Sequence, residues 1–326
     1  MTKLLFPANR AVLPVLNDLQ RKFVNEETHY FNENKINWAH LVRYKEQDDT
    51  FPQPNTFKWE TDEEQSVIEI SETADFAEPR VEKVLGNEAQ LHNFKANTTY
   101  YWRVNGSDAF TFKTEDVAPV FYDAEGISNV RDAGNWKTKY GCRIKQGLLF
   151  RGSEMNIHHT ITEKGIDVMR NILKIKTDLD LRGEGFKFEH SPLGEDIRFL
   201  VIPCGPYKNF MNDKETCKKL FDVLADENNY PIYYHCWGGA DRTGTLACML
   251  GVALGMCEKD TLLDYEITSL SVWGDRNRVS DLYKSFLEEL ESYEGETFED
   301  KIMSFIYSCG ITEQQLDKIR GILLDR

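Results

Sequence analysis

The chain has no run of ~18 apolar residues, so no membrane-spanning helix is expected. Its seven cysteines (Cys142, Cys204, Cys217, Cys236, Cys248, Cys257, Cys309) include no CxxC pair, which excludes a zinc ribbon on spacing. Their number is odd, and they read as free thiols of a reducing compartment, mostly packed as small hydrophobes. Positive charge is scarce: 39 Lys and Arg stand against 54 Asp and Glu, a formal net charge of -15. A broad basic face for nucleic acid or an anionic membrane surface is therefore not expected. An anionic substrate has to be captured by a local cluster of donors. The start, Met1 to Pro7, is too short and too quickly polar for a signal peptide. A cytoplasmic protein is expected as the sequence stands, or an exported one if a signal peptide has been removed. Internal repeats and low-complexity segments are also lacking.

What is present is ordinary globular material: 326 residues, 41% hydrophobic and 29% charged, enough for two domains. A first helix is predicted over Val15–Val24, with Leu16, Leu19 and Phe23 on one apolar face. From Asn55 the pattern turns to short alternating runs: Phe57–Glu60, Ser66–Ser71, Thr98–Val104 and Ala109–Thr114. Asn105-Gly106 marks a turn between the last two. Such strands suggest a β-sandwich, with Trp59 and Trp102 as core aromatics. The stretch Leu91–Val104, followed by Phe110–Thr114, resembles a fibronectin type III-like module. No cluster of chemistry-bearing residues lies in it, so residues 1–117 are expected to form an accessory domain.

Residues 115–121 read as a linker, and a second domain is expected over 118–326. It alternates strands and helices. Strands are predicted over Gly147–Ser153, Lys176–Arg182, Ile197–Pro203 and Tyr230–Tyr234. Helices are predicted from Thr162 to about Lys174 and from about Asp213 to Asp226, the latter with Cys217, Leu220, Phe221 and Leu224 inward. The fold class is thus α/β with a mostly parallel sheet. A helical tail follows over Leu262–Trp273, Val279–Tyr293, Phe298–Ser308 and Glu313–Leu324. Gly310 is placed as a helix stop, and Thr312 with Gln315 as a capping box. Ligands of such sheets sit at the carboxyl ends of the strands.

One stretch at such an end carries chemistry: His235-Cys236-Trp237-Gly238-Gly239-Ala240-Asp241-Arg242-Thr243-Gly244-Thr245. It joins an apolar, β-prone run to a buried helix, Leu246–Leu254. Free N–H groups and the positive end of the helix make an anion site. The glycines let the backbone approach closely. Residues Trp237, Gly238, Gly239, Ala240, Asp241 and Arg242 are expected to bind phosphate, mainly through their N–H groups. Arg242 presents a planar fork to two phosphate oxygens. Cys236, beneath the helix end and near Arg242, is favoured as a thiolate nucleophile attacking phosphorus. Thr243 reads equally as a hydrogen-bond donor to the leaving sulfur and as a helix cap. His235 reads equally as an orienting group and as a satisfied strand-end histidine.

The same residues resemble the cysteine-based tyrosine phosphatase signature: a cysteine, five residues, then arginine and a hydroxyl residue. With Asn129–Gly134, Leu149–Ser153 and Asp180-Leu181-Arg182, they are similar to the bacterial tyrosine phosphatase-like family over roughly residues 126 to 275. That resemblance implies metal-free hydrolysis with no metal ion and no cofactor. A general acid is also needed to protonate the leaving oxygen. The loop that carries it in most relatives matches Pro203–Asp213 here and offers only Asp213. The closer group points instead to Asp241, with Asp180 next and Asp213 third. Asp180 is read alternatively as a holder of Arg182, and Asp213 as a helix cap.

Relatives acting on inositol lipids often carry lysine where this chain has Ala240. That favours an aryl phosphate such as phosphotyrosine, in a protein or a small ester, over phosphoinositides and inositol phosphates. Lys208, Arg276 and Arg278 are the candidates to restore charge from neighbouring loops. Two further readings are a sulfurtransferase, disfavoured by the Arg242-Thr243-Gly244 spacing, and an inactive phosphate-binding module, disfavoured by the intact cysteine, arginine and acid.

Overall fold

The computed structural model describes residues 2–25, 48–183 and 188–326. Its C-terminal part is built on a six-stranded sheet. The strands lie in the order Arg198–Val201, Thr177–Asp180, Ile232–His235, Leu149–Gly152, Arg131–Asp132, Val120–Phe121. The first four are mutually parallel, and Arg131–Asp132 runs antiparallel to both of its neighbours, Leu149–Gly152 and Val120–Phe121. Strand Ile232–His235 is buried along its whole length, which is why it reads as a continuous apolar run. Helix Asp241–Ala253 follows it, and Lys214–Leu224 packs nearby through Cys217, Leu220, Phe221 and Leu224, as expected.

The helical tail forms four helices, Glu258–Glu266, Asp281–Leu290, Phe298–Ser308 and Glu313–Leu323. Two differ from expectation. The first begins earlier than Leu262–Trp273 and also ends earlier, where a tight turn over Ile267–Leu270 follows it. The second is shorter than Val279–Tyr293, since Ser280 caps it by accepting the Tyr283 N–H. Thr312 accepts the Gln315 N–H at 3.3 Å. The Gln315 side chain, however, reaches Asp222 at 2.8 Å instead of returning to the cap. The reciprocal box forms at Thr297 and Asp300.

The four expected N-terminal strands are present as Asn55–Glu60, Gln65–Ser71, Thr99–Val104 and Phe110–Thr114. Short strands with weaker patterns, Lys3–Phe6, Ala11–Leu13, Arg80–Leu85 and Glu88–Leu91, complete one three-stranded and one five-stranded sheet. Phe57, Trp59, Trp102 and Phe112 fill one core with the two sheets, with the Phe57 and Trp102 rings edge to face at 5.1 Å. Asn105 and Gly106 both have positive φ and form a tight turn, closed by the Ser107 N–H on the Val104 carbonyl at 2.9 Å, at the start of the 105–109 connection.

Two expectations change here. The first helix is Asp18–Asn25, not Val15–Val24, because the Asn17 side chain accepts the Gln20 N–H and starts it late. Residues 115–121 are not a free linker. Glu115 accepts the N–H groups of Val15 and Leu16 and pairs with Arg21, while Val120 and Phe121 enter the six-stranded sheet. Val120, Phe121 and Tyr122 share one core with Trp102.

Candidate active site

Parallel register brings three strand ends together: Gly152 and Asp180 both lie opposite His235. Beyond them come Ser153-Glu154, Leu181-Arg182 and the loop from Cys236. Cys236 is 4% exposed, and Arg242 is half-buried as the second residue of helix Asp241–Ala253.

The loop carbonyls are tied from behind, one after another. The Cys236 carbonyl meets His235 Nδ1 at 3.2 Å. The Trp237 carbonyl accepts the Glu154 N–H at 2.9 Å. The Gly238 carbonyl accepts Asn129 Nδ2 at 3.0 Å, and the Gly239 carbonyl accepts Arg151 Nη2 at 2.7 Å. Each peptide is planar and trans, so a carbonyl fixed outward turns the next N–H the opposite way. Each of these peptides thereby presents the N–H of Trp237, Gly238, Gly239 or Ala240 away from its carbonyl's partner, in the stretch that leads into the first turn of the helix. Gly239 has φ +64°, and a Cβ there would come within 2.3 Å of the Gly152 carbonyl, so glycine is required.

The supports are themselves anchored. Arg151 and Arg131, both buried, converge on the carboxylate of Asp264, Arg131 through Nε at 2.7 Å. Burial, first, and the neighbouring Arg151 lower the Arg131 guanidinium to about 10. Glu154 is buried, accepts the backbone N–H groups of residues 156 to 159, and takes Arg182 Nη1 at 3.3 Å. Burial pushes its carboxyl up, but those four donors outweigh it and hold it below the ordinary range.

His235 is buried between two acceptors, the Asp178 carboxylate at 2.9 Å from Nε2 and the Cys236 carbonyl at Nδ1. Two acceptors suit the doubly protonated ring. Burial opposes the charge, yet Asp178 outweighs it and raises the imidazole above its ordinary value. Both expected roles of His235 thus coincide geometrically: it is satisfied, and it reaches the loop.

The three acid candidates separate sharply. Asp241 opens the helix with its side chain 30% exposed. Its two oxygens take Arg276 Nε and Nη2 at 2.8 and 2.9 Å, and Tyr207 donates its hydroxyl to Oδ1. Tyr207 in turn meets the Tyr265 hydroxyl at 2.7 Å. Burial first, and then Asp241, hold the Tyr207 phenol well above its ordinary value. Asp180 is 3% exposed and grips Arg182 through its backbone N–H, Nε and Nη2. Asp213 lies outside this cluster and accepts the Thr216 N–H at 3.0 Å, starting helix Lys214–Leu224.

The rim is aromatic. Trp273 lies over Gly238, where a Cβ would come within 2.5 Å of the indole. The His158 ring meets Trp237 edge-on at 4.7 Å, and His159 meets Trp273 at 5.3 Å. Arg182 stands 4.9 Å from the Trp237 ring centre. Of the candidate loop cations, Arg276 is committed to Asp241 and Arg278 to Glu266 at 2.7 Å, while Lys208 lies on the short helix Lys208–Met211. The hydroxyl of Thr243, 0% exposed, has no partner among the described residues.

Sequence reasoning assigned no role to Asn129, Arg131, Arg151, Glu154, Asp178, Tyr207, His158 or Asp264. A usable signal existed only for some: charged residues inside short apolar strands, Asp178 and Arg151 above all, have to be paired.

A strand, a glycine-bearing loop and a helix, with a buried cysteine at one end of the loop and an arginine at the other, have the architecture of a cysteine-based phosphatase. Residues 122–325 match the sequence model of the "Tyrosine phosphatase family", and the chain belongs to that family. It is a phosphoric monoester hydrolase. No curated protein sequence matches it. Among solved structures, the core catalytic domain of the PP-IP phosphatase SIW14 from S. cerevisiae is 17% identical, with 44% of this chain and 83% of that one covered at a TM-score of 0.35. The Yvh1 phosphatase domain from Chaetomium thermophilum is 14% identical, with 44% and 88% covered at a TM-score of 0.29. The family assignment rests on the sequence match. No helix among the described residues is long and apolar enough to cross a membrane.

Proposed function

We propose that the protein is a metal-independent phosphatase working through a cysteinyl-phosphate intermediate on aryl phosphates, phosphotyrosine first among them. The observation that carries the reading is the cradle: four consecutive carbonyls fixed outward between Cys236 and Arg242. The Cys236 thiolate attacks phosphorus, an S–P bond forms and the P–O bond to the leaving group breaks. Asp241 gives its proton to the departing oxygen and takes one from the water that next attacks phosphorus. The S–P bond then breaks, and inorganic phosphate leaves. Arg242 and the loop N–H groups hold the equatorial oxygens throughout. Thr243, with its unclaimed hydroxyl, donates to the sulfur as it leaves.

Exposure favours Asp241 over Asp180 for the acid, because a proton donor must exchange with solvent. The aromatic rim favours an aryl leaving group, and Ala240 adds no charge to the pocket. The N-terminal part is proposed to be a fibronectin type III-like sandwich, residues 1–117, ahead of the phosphatase domain, 118–326.

The test is turnover of phosphotyrosine peptides, phosphoserine peptides, inositol phosphates and phosphoinositides in chelator. Phosphotyrosine should be preferred. Preference for the inositol compounds would transfer the substrate to that class, and loss of turnover with chelator would sink the thiolate mechanism. Cys236→Ser should lower turnover by at least about a thousandfold.

A further inference from the structure

The N-terminal part contributes to the site itself. We propose that Thr50 is a positioning residue of the phosphate loop, acting through Asn129; the inference rests on the phosphatase reading given above. Thr50 is 1% exposed, far in sequence from the catalytic strands. Its hydroxyl donates to the Asp48 carboxylate, which also takes the Thr50 N–H at 2.9 Å. With its proton committed, the Thr50 oxygen accepts the backbone N–H of Asn129 at 2.9 Å.

Asn129 is where that bond matters. Its φ is +62°, in the left-handed region that asparagine tolerates better than most residues. In that conformation its amide reaches the Gly238 carbonyl at 3.0 Å and the Gly239 carbonyl at 3.4 Å. The fixed carbonyls turn the loop N–H groups toward phosphate. Thr50 thus supports the phosphate cradle at one remove.

The segment holding Thr50 is itself fastened on two sides. The Asp49 N–H donates to the Leu270 carbonyl at 2.9 Å, on the tight turn that leads to Trp273. Asn17 Nδ2 donates to the carbonyls of Asp49 and Phe51 at 3.0 and 2.8 Å, and Gln20 Nε2 to the same two at 2.8 Å each. The base of helix Asp18–Asn25 therefore sets where Thr50 stands. Asn17, Gln20 and Asp48 to Thr50, which lie between strands Ala11–Leu13 and Asn55–Glu60, then bear on the catalytic loop.

The full chain tests this with Thr50→Val, which keeps the shape and removes the acceptor, and Thr50→Ser, which keeps the acceptor. Turnover of 4-nitrophenyl phosphate and calorimetric affinity for inorganic phosphate are read below the unfolding temperature of each variant. Thr50→Val should lose about tenfold in both, the effect of one unsatisfied buried N–H. Thr50→Ser should stay within about twofold of the parent, because its acceptor survives. Added to Asn129→Ala, Thr50→Val should cost little more, since both act on one path. If Thr50→Val does not fold, Thr50→Ala serves the same comparison. Parent-like phosphate affinity and turnover in the folded Val or Ala variant would overturn the proposal, as would full additivity with Asn129→Ala. A parent protein that binds phosphate but cleaves no ester would sink the phosphatase reading alone, because the affinity arm still reads Thr50.

Discussion

Asp264 offers the sharpest test of how the cradle is held. Its two oxygens are shared by Arg131 and Arg151, which are 0% and 1% exposed. Asp264→Asn keeps the shape but removes the charge and turns an NH2 toward a guanidinium. Two buried cations then lack their counter-ion. Breaking a buried pair this way costs about 3–5 kcal/mol. For a domain of roughly 200 residues each kcal/mol shifts Tm by about 2–4 °C, so a fall of roughly 6–20 °C is expected. Burial pushes the Asp264 carboxyl up, but Arg131 and Arg151 outweigh it and hold it below the ordinary range. A depressed carboxylate contributes stability above its unfolded pKa, about 4, that is lost as pH falls through the folded value. The parent should therefore show an acid limb in Tm that Asp264→Asn lacks. Turnover should fall as well, because Arg151 also carries the Gly239 carbonyl. Thermal unfolding across pH, with kcat measured well below the new Tm, reads all three. A Tm within about a degree of the parent, with the acid limb intact, would refute the reasoning, since a broken buried pair should cost several degrees.

Two further outcomes follow from the same geometry. Gly238→Ala should displace Trp273 and cost about 1–3 kcal/mol by overpacking, and Trp273→Ala in the same chain should recover part of it; strict additivity in a double-mutant cycle would deny the contact. His235 is raised above its ordinary value, so its contribution is complete below about pH 6.5 and is lost as pH rises through the folded value. An alkaline limb in Tm is expected, moving to lower pH in Asp178→Asn, and an unmoved limb would assign it to another group.

The candidate segment was legible because its pattern is local. A cysteine, glycines, an arginine and a helix start lie within eleven residues and mark a candidate anion site. The parallel strands were legible as strand-prone runs, and helices such as Phe298–Ser308 from their apolar spacing, although the capping box that starts that helix, at Thr297 and Asp300, was not. The weak strands Arg80–Leu85 and Glu88–Leu91 were not, because the first buries no residue fully and the second alternates over only four residues. The linker expected over 115–121 failed for a related reason. Its few residues show no period, and only contacts with Val15, Leu16 and the Arg131–Asp132 strand fix them.

By itself the sequence determined the order strand, loop, helix, the cysteine and arginine at the ends of the loop, and the short set of carboxylates able to carry a proton. Which carboxylate faces solvent, which is locked on an arginine, and what turns the loop N–H groups inward were decided by the tertiary structure. The physical reason is sequence distance. Asn129 lies 109 residues from Gly238, Arg151 lies 88 from Gly239, and Thr50 lies 79 from Asn129. Hydrogen bonds over such separations exist only once the sheets and helices have packed, and no local pattern in the chain encodes them.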